Sequence, residues 1–183
     1  MKKIILVCSL LLTLTTLTNA QDKIAVKTNA LGWAAYGTIN FGAELGLSQH
    51  WTLDLDLYAN PWKFDDHKQL MTFGAQPEAR YWLGDRFKGH FFGVHAQYFH
   101  FDGGLDKYRY DGWSVGGGLS YGYSLALSDR WLIEANVGAG YIHADYGKTG
   151  RVQYPGDVRI YDPEIKNMFG LTRAGLSVIF LIK

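Results

Sequence analysis

Hydrophobic and polar residues alternate with a period of two along most of this chain beyond residue 23. In Trp51-Thr-Leu-Asp-Leu-Asp-Leu-Tyr-Ala59, Trp51, Leu53, Leu55, Leu57 and Ala59 share one face, and Thr52, Asp54, Asp56 and Tyr58 share the other. Successive side chains of a strand point to opposite sides, so the run reads as a strand with one greasy and one acidic face. Similar runs predict about eight strands, roughly 24–32, 39–48, 51–60, 70–83, 90–101, 113–127, 131–144 and 168–182. The connections 48–50, 84–89 and 128–130 are short, whereas 33–38, 61–69, 102–112 and 145–167 are mostly longer. Strict alternation of short and long connections predicts an all-β fold: an eight-stranded antiparallel transmembrane β-barrel, closed as an up-and-down meander. Its short turns and both termini would lie in the periplasm, with the longer loops outside.

Alternation alone does not say which face is inside, and a lipocalin-like soluble barrel would place the apolar face there. Strand 113–127 decides in favour of the membrane. Its polar-side set is Ser114, Gly116, Gly118, Ser120, Gly122 and Ser124, all small, while the opposite set includes Trp113, Val115, Leu119, Tyr121, Tyr123, Leu125 and Leu127. An eight-stranded interior is just wide enough for side chains to fill, so the small set suits the lumen and the bulky set faces lipid. The same phase puts Lys27, Glu44, Asp54, Asp56, Glu78, Arg80, His95, Glu134 and Arg173 inside. Charges in so narrow a space must pair, keep water or lose their charge, which predicts a polar network centred on Glu78 and Arg80. Pro77 lacks a ladder donor and is expected to mark a bulge.

The six tryptophans fall near the ends of these segments. Trp33, Trp62 and Trp113 adjoin the longer loops, and Trp51, Trp82 and Trp131 adjoin the short turns. They predict an aromatic girdle at each membrane interface, with the inward phase of Trp82 as an inconsistency. The 11 residues from Trp51 to Trp62 cover roughly 28 Å along the membrane normal at a strand tilt near 40°, close to an apolar band of ~25 Å. Arg173-Ala-Gly-Leu-Ser-Val-Ile-Phe180 resembles the C-terminal signal read by the barrel-assembly machinery, although the chain runs on to Leu181-Ile182-Lys183.

Composition adds the compartment. Lys2 and Lys3, the apolar stretch Ile4 to Leu17 and Thr18-Asn19-Ala20 read as a cleaved signal peptide, residues 1–20, ahead of one domain, 21–183. The only cysteine, Cys8, lies within it, so the exported chain has no disulfide or cysteine-based metal site. Without the leader, 16 basic residues face 17 acidic ones, and no basic footprint for nucleic acid remains.

Candidate chemistry is sparse. His67 with Asp65 and Asp66, His100 with Asp102, and His143 with Asp145 near Ser114 are the histidine–acid pairs at the outer rim. None sits in a nucleophile motif, and three consecutive residues cannot all ligate one ion in an extended chain. No enzyme activity, metal or cofactor is therefore expected; an outer-membrane lipid-modifying enzyme is the third reading. Loops 102–112 and 145–167 mix charge with Tyr108, Tyr110, Tyr146, Tyr154 and Tyr161, a composition suited to contact with glycans, lipid headgroups or a surface protein. Two main functions stay open: a structural or interaction protein, and a narrow ion or small-solute pore whose lumenal charge sets selectivity.

Lys27-Thr28-Asn29-Ala30-Leu31, Glu44-Leu45-Gly46-Leu47, Tyr58-Ala59-Asn60-Pro61-Trp62, Gln76-Pro77-Glu78-Ala79-Arg80-Tyr81-Trp82 and Gly89-His90-Phe91-Phe92-Gly93 resemble an uncharacterised family of small outer-membrane β-barrels of Bacteroidota. Its members carry a domain of unknown function and often lie near fimbrillin-type fimbrial genes. The resemblance covers roughly residues 24–101. It implies an eight-stranded surface barrel with fimbrial or other surface proteins as partners, and it brings no catalytic residues.

Overall fold

The computed structural model describes residues 24–35, 37–63, 69–104, 108–150 and 162–182. The expected leader lies outside these residues, as do His67 with its neighbouring acids and the stretch from Arg151 to Tyr161. Eight antiparallel strands, each paired with its neighbour in sequence, close into a barrel. They are β1 (Ile24–Asn29), β2 (Ile39–Gly46), β3 (Trp51–Lys63), β4 (Gln69–Trp82), β5 (Gly89–Gly104), β6 (Tyr108–Ala126), β7 (Trp131–Gly150) and β8 (Asp162–Ile182). Pairing of Ile24 through Asn29 with Ile182 through Ser177 closes the ring.

Three features depart from the sequence reading. First, β1 stops at Asn29, and a short helix, α1 (Ala30–Ala34), replaces its expected end. Asn29 is the reason: its side chain accepts from Leu31 N at 3.0 Å, capping the helix. The same side chain donates to Ala174 O and accepts from Leu176 N of β8, both at 3.1 Å. Second, the described parts of the expected loops 102–112 and 145–167 are strand, because β5 to β8 run on past the expected ends. Cross-strand aromatics sustain them, with ring centroids 5.8 Å apart for Tyr110 and Tyr146 and 6.3 Å for Phe101 and Tyr146.

Third, the bulge is not at Pro77. The β4–β5 ladder skips Gln76 and Pro77 but keeps its register on both sides, and Pro77 points outward between buried Gln76 and Glu78. The register shifts instead where Gly138 and Ala139 of β7 face Arg173 and Leu171 of β8, leaving Thr172 extra. A bulge turns two consecutive residues to one side, and here Thr172 and Arg173 both enter the lumen.

The outer face is apolar and the inner face polar. Phe41, Leu53, Leu55, Leu57, Phe73, Val94 and Leu119 are exposed, while every expected lumenal charge from Lys27 to Arg173 is buried. Glycines make room inside: a Cβ at Gly93 would strike the Glu78 carboxylate and the Ser120 hydroxyl.

Candidate functional site: a charged lumen sealed at one end

Arg80 is the hub of the interior. Its Nε lies 2.6 Å from Glu78, its Nη1 2.8 Å from Glu44 and 3.1 Å from Glu134, and its Nη2 3.0 Å from Asp54. A planar guanidinium offers donors in fixed directions, and Glu78, Glu44 and Glu134 accept from it, while Asp54 is held by charge alone. Arg173 forms a second centre, 2.9 Å from Asp54, 3.4 Å from Glu78 and in close contact with Asp56. Lys27 reaches Asp54 at 2.6 Å and Asp56 at 3.4 Å. His95 joins through the Thr172 hydroxyl, 2.8 Å from its Nε2, with its Nδ1 3.9 Å from Glu78.

The nine lumenal residues expected from alternation thus lie in one connected cluster. Polar residues beyond those nine complete it; Thr52 and Ser120 stand on the inward faces already read from the sequence, whereas Gln76, Gln97, Asn136 and Thr172 were not singled out there. Thr52 donates to Glu44 at 2.5 Å, Asn136 donates to Glu134 at 3.0 Å, and Ser120 donates to Glu78. Gln76 accepts from Arg173 and donates to Gln97 and to the Thr172 carbonyl. Thr52, Gln76, Gln97, Ser120 and Asn136 share the inward phase and were legible; Thr172 turns inward only through the bulge.

At the short-turn end an apolar layer lies beneath these charges. Trp82 is 0% exposed, which removes it from the expected girdle. It packs against Phe91 and Phe87 with centroids 4.7 and 6.2 Å apart, above a buried group of Ala25, Phe87, Leu132, Ile179 and Leu181. Its indole N–H donates to Thr52 at 2.9 Å, while the Arg80 guanidinium rests 4.5 Å from the centre of the Phe91 ring. The turn after β4 folds across this end, where Trp82 N donates to His50 O and Arg86 N to Gln49 O, each at 2.8 Å.

Trp62 is exposed at the outer end of β3. It carries the phase of Asp54 and Asp56, and its indole donates to Gly37 O at 3.0 Å. Trp33 sits on α1 and donates to Thr28 at 2.8 Å. Trp51, Trp113 and Trp131 occupy the outer phase of their strands, with Tyr81 against Trp51 and Phe180 against Trp131.

The two described outer-rim histidines, His100 and His143, find contacts on neighbouring strands. Asp102 is gripped by Arg109 through Nε at 2.6 Å and through Nη2. His100 is 4.0 Å from Asp111, and His143 bonds Asn167 at 2.7 Å. Ser114 is buried on the inner face, opposite that histidine. The Arg109 hydrogen bonds hold the Asp102 carboxyl below the usual carboxylate range. A depressed carboxylate supports the folded hairpin above its ordinary pKa of about 3.9 and loses that support as pH falls through its own lower value. The β5–β6 tip should therefore hold unchanged down to about pH 4. Carboxyl carbon shifts would show this; titration of Asp102 above the ordinary value would contradict it.

These features define a class: a closed, side-chain-filled eight-stranded barrel with a charged lumen and an apolar exterior. Residues 4–182 match the family described as "Protein of unknown function (DUF3575)", and the chain belongs to that family. No curated protein and no solved structure matches the chain.

Proposed function

We propose that this protein is an integral outer-membrane barrel, exported with a cleaved leader, that acts as a structural or interaction protein through its outward hairpins. One observation carries the reading. Exposed Phe41, Leu55, Phe73, Val94 and Leu119 surround a core of buried Lys27, Glu44, Asp54, Arg80 and Glu134, the inverse of a water-soluble protein. The charge network and the Trp82 layer support a closed barrel over a pore, since both fill the cross-section. Steady single-channel conductance from the purified protein would reverse that preference. The hairpin ends, with Lys148 4.2 Å above the Tyr108 ring and Tyr146 donating to Glu164 at 2.9 Å, offer the aromatic and charged surface a partner would use. A fimbrial or other surface protein as that partner rests on the family resemblance alone.

Leu55→Arg tests the membrane reading. Leu55 lies on the outer face of β3 between partners Ala43 and Pro77. In a bilayer an arginine at mid-depth costs ~2–4 kcal/mol, whereas on a water-exposed surface the change stays within ~0.5 kcal/mol. Urea unfolding in lipid vesicles measures the difference. A neutral result, with the protein outside the outer-membrane fraction, would sink the proposal.

A further inference from the structure

The barrel's closing seam is incomplete. β8 extends from Asp162 to Ile182, but β1 pairs only with Ser177 through Ile182. The Asn29 side chain satisfies Ala174 O and Leu176 N just above. From Asp162 to Leu171, β8 is paired with β7 alone, and no described residue hydrogen-bonds the backbone of its other edge. Side chains reflect the missing neighbour. Phe169 is 83% exposed and Leu171 64%, against 44% for Leu176 and 41% for Val178 on the closed part of the same face.

A row of unpaired N–H and C=O groups is complementary to another extended backbone. Edges are commonly blunted with proline or charge, and Pro163 and Lys166 stand at the outer end of this one. Between Lys166 and the Thr172 bulge, Asn167-Met168-Phe169-Gly170-Leu171 has no such guard. Past Asn29 the chain leaves the ladder and lies against β8 as α1; the unpaired track above it follows the line of β1, which runs antiparallel to β8. Two copies standing in one membrane, related by rotation about its normal, would bring their β8 strands together running the same way. That parallel pairing does not continue the existing ladder and is slightly less stable per residue.

We propose that the free edge of β8 at Asn167–Leu171 is a strand-addition site for an extended segment of a partner polypeptide, running antiparallel to β8. Side chains alternate along an added strand. Those on the outer side would cover Phe169 and Leu171 and be apolar; those turned inward would meet Lys166, Met168 and Gly170 and be polar or small. The inference rests on the membrane and interaction reading above and names the surface that reading uses.

Hydrogen exchange at the Asn167–Leu171 amides, compared between native outer membranes and the protein reconstituted alone in vesicles of the same lipid, tests it. Exchange at least tenfold slower in native membranes is expected. The only cysteine is Cys8, so single-cysteine variants can carry a benzophenone crosslinker. Phe169→Cys should crosslink to a second kind of polypeptide, and Leu119→Cys, also well exposed at 68% but on a doubly paired strand, should not. Equal exchange in the two preparations overturns the proposal, as does slow exchange in both, which would mean that the chain covers its own edge. A Phe169→Cys homodimer would assign the edge to a second copy instead. Failure of the membrane reading would be recognised separately, by a neutral Leu55→Arg in a protein that does not sediment with the outer membrane.

Discussion

Arg80→Ala should cost at least ~3–5 kcal/mol, the range for breaking one buried ion pair by removing a single partner. The reason is what remains behind. Glu44, Asp54, Glu78 and Glu134 all address this guanidinium, and each is buried. Deleting the cation leaves like charges facing one another in a buried space. Arg80→Lys should rescue only part of the loss, because an ammonium is a point charge without the guanidinium's fixed fork. Urea unfolding in vesicles, with heat-modifiable migration as the folding assay, measures the effect. An Arg80→Ala barrel within ~1 kcal/mol of the parent would show that the network is not what holds the lumen together. Arg80→Met with Glu44→Gln should be less destabilised than the sum of the two single changes, since residues in one network are not additive.

The network also reaches every strand. Lys27 belongs to β1, Glu44 to β2, Asp54 and Asp56 to β3, Glu78 and Arg80 to β4, His95 to β5, Ser120 to β6, Glu134 to β7 and Arg173 to β8. A one-residue slip of any strand would turn its member to the outer face. Buried charge therefore gives the closed ring a register that its small inward residues on β6 could not specify by packing. This is a role in specificity, and it is compatible with buried pairs adding little net stability over an apolar core.

Period-two alternation made this interior legible. Glu78, Arg80 and Trp82 stand at i, i+2 and i+4 of one strand, so the phase that placed the two charges inside also places the indole there. Reading Trp82 as girdle followed its position near a turn, against the inward phase that marked it as the exception among the six. Trp62 shares the phase of Asp54 and Asp56 yet stays exposed, because it stands at the outer end of β3. The bulge was not legible in the same way. Its signal is the break in alternation at Leu171-Thr172-Arg173, where one residue is exposed, the next half-buried and the third buried, while a proline drew attention to β4. Nor does alternation set strand length, which is why β5 to β8 outran their expected ends: tyrosines that resemble loop composition in sequence instead pair across strands.

Trp82→Ala should cost ~3–5 kcal/mol, as expected for emptying the site of a large buried aromatic side chain. The loss has three parts. The indole fills the space between Phe87 and Phe91. Its N–H donates to Thr52, which in turn donates to Glu44, so the change disturbs the charge network from below. It also removes the layer between the Arg80 carboxylates and the short-turn end. Phe87 holds φ 64° in the turn crossing that end, an unfavourable conformation for a side chain of this size, and its packing against Trp82 helps offset that strain. Trp131→Ala is the matched control, since Trp131 lies on the outer face at the same end and is 49% exposed. Unfolding midpoints should fall much further for Trp82→Ala than for Trp131→Ala. Brominated lipid should quench a barrel whose sole tryptophan is Trp131 and leave one whose sole tryptophan is Trp82 largely unaffected. Equal destabilisation together with equal quenching would return Trp82 to the girdle and remove the seal from beneath the charges.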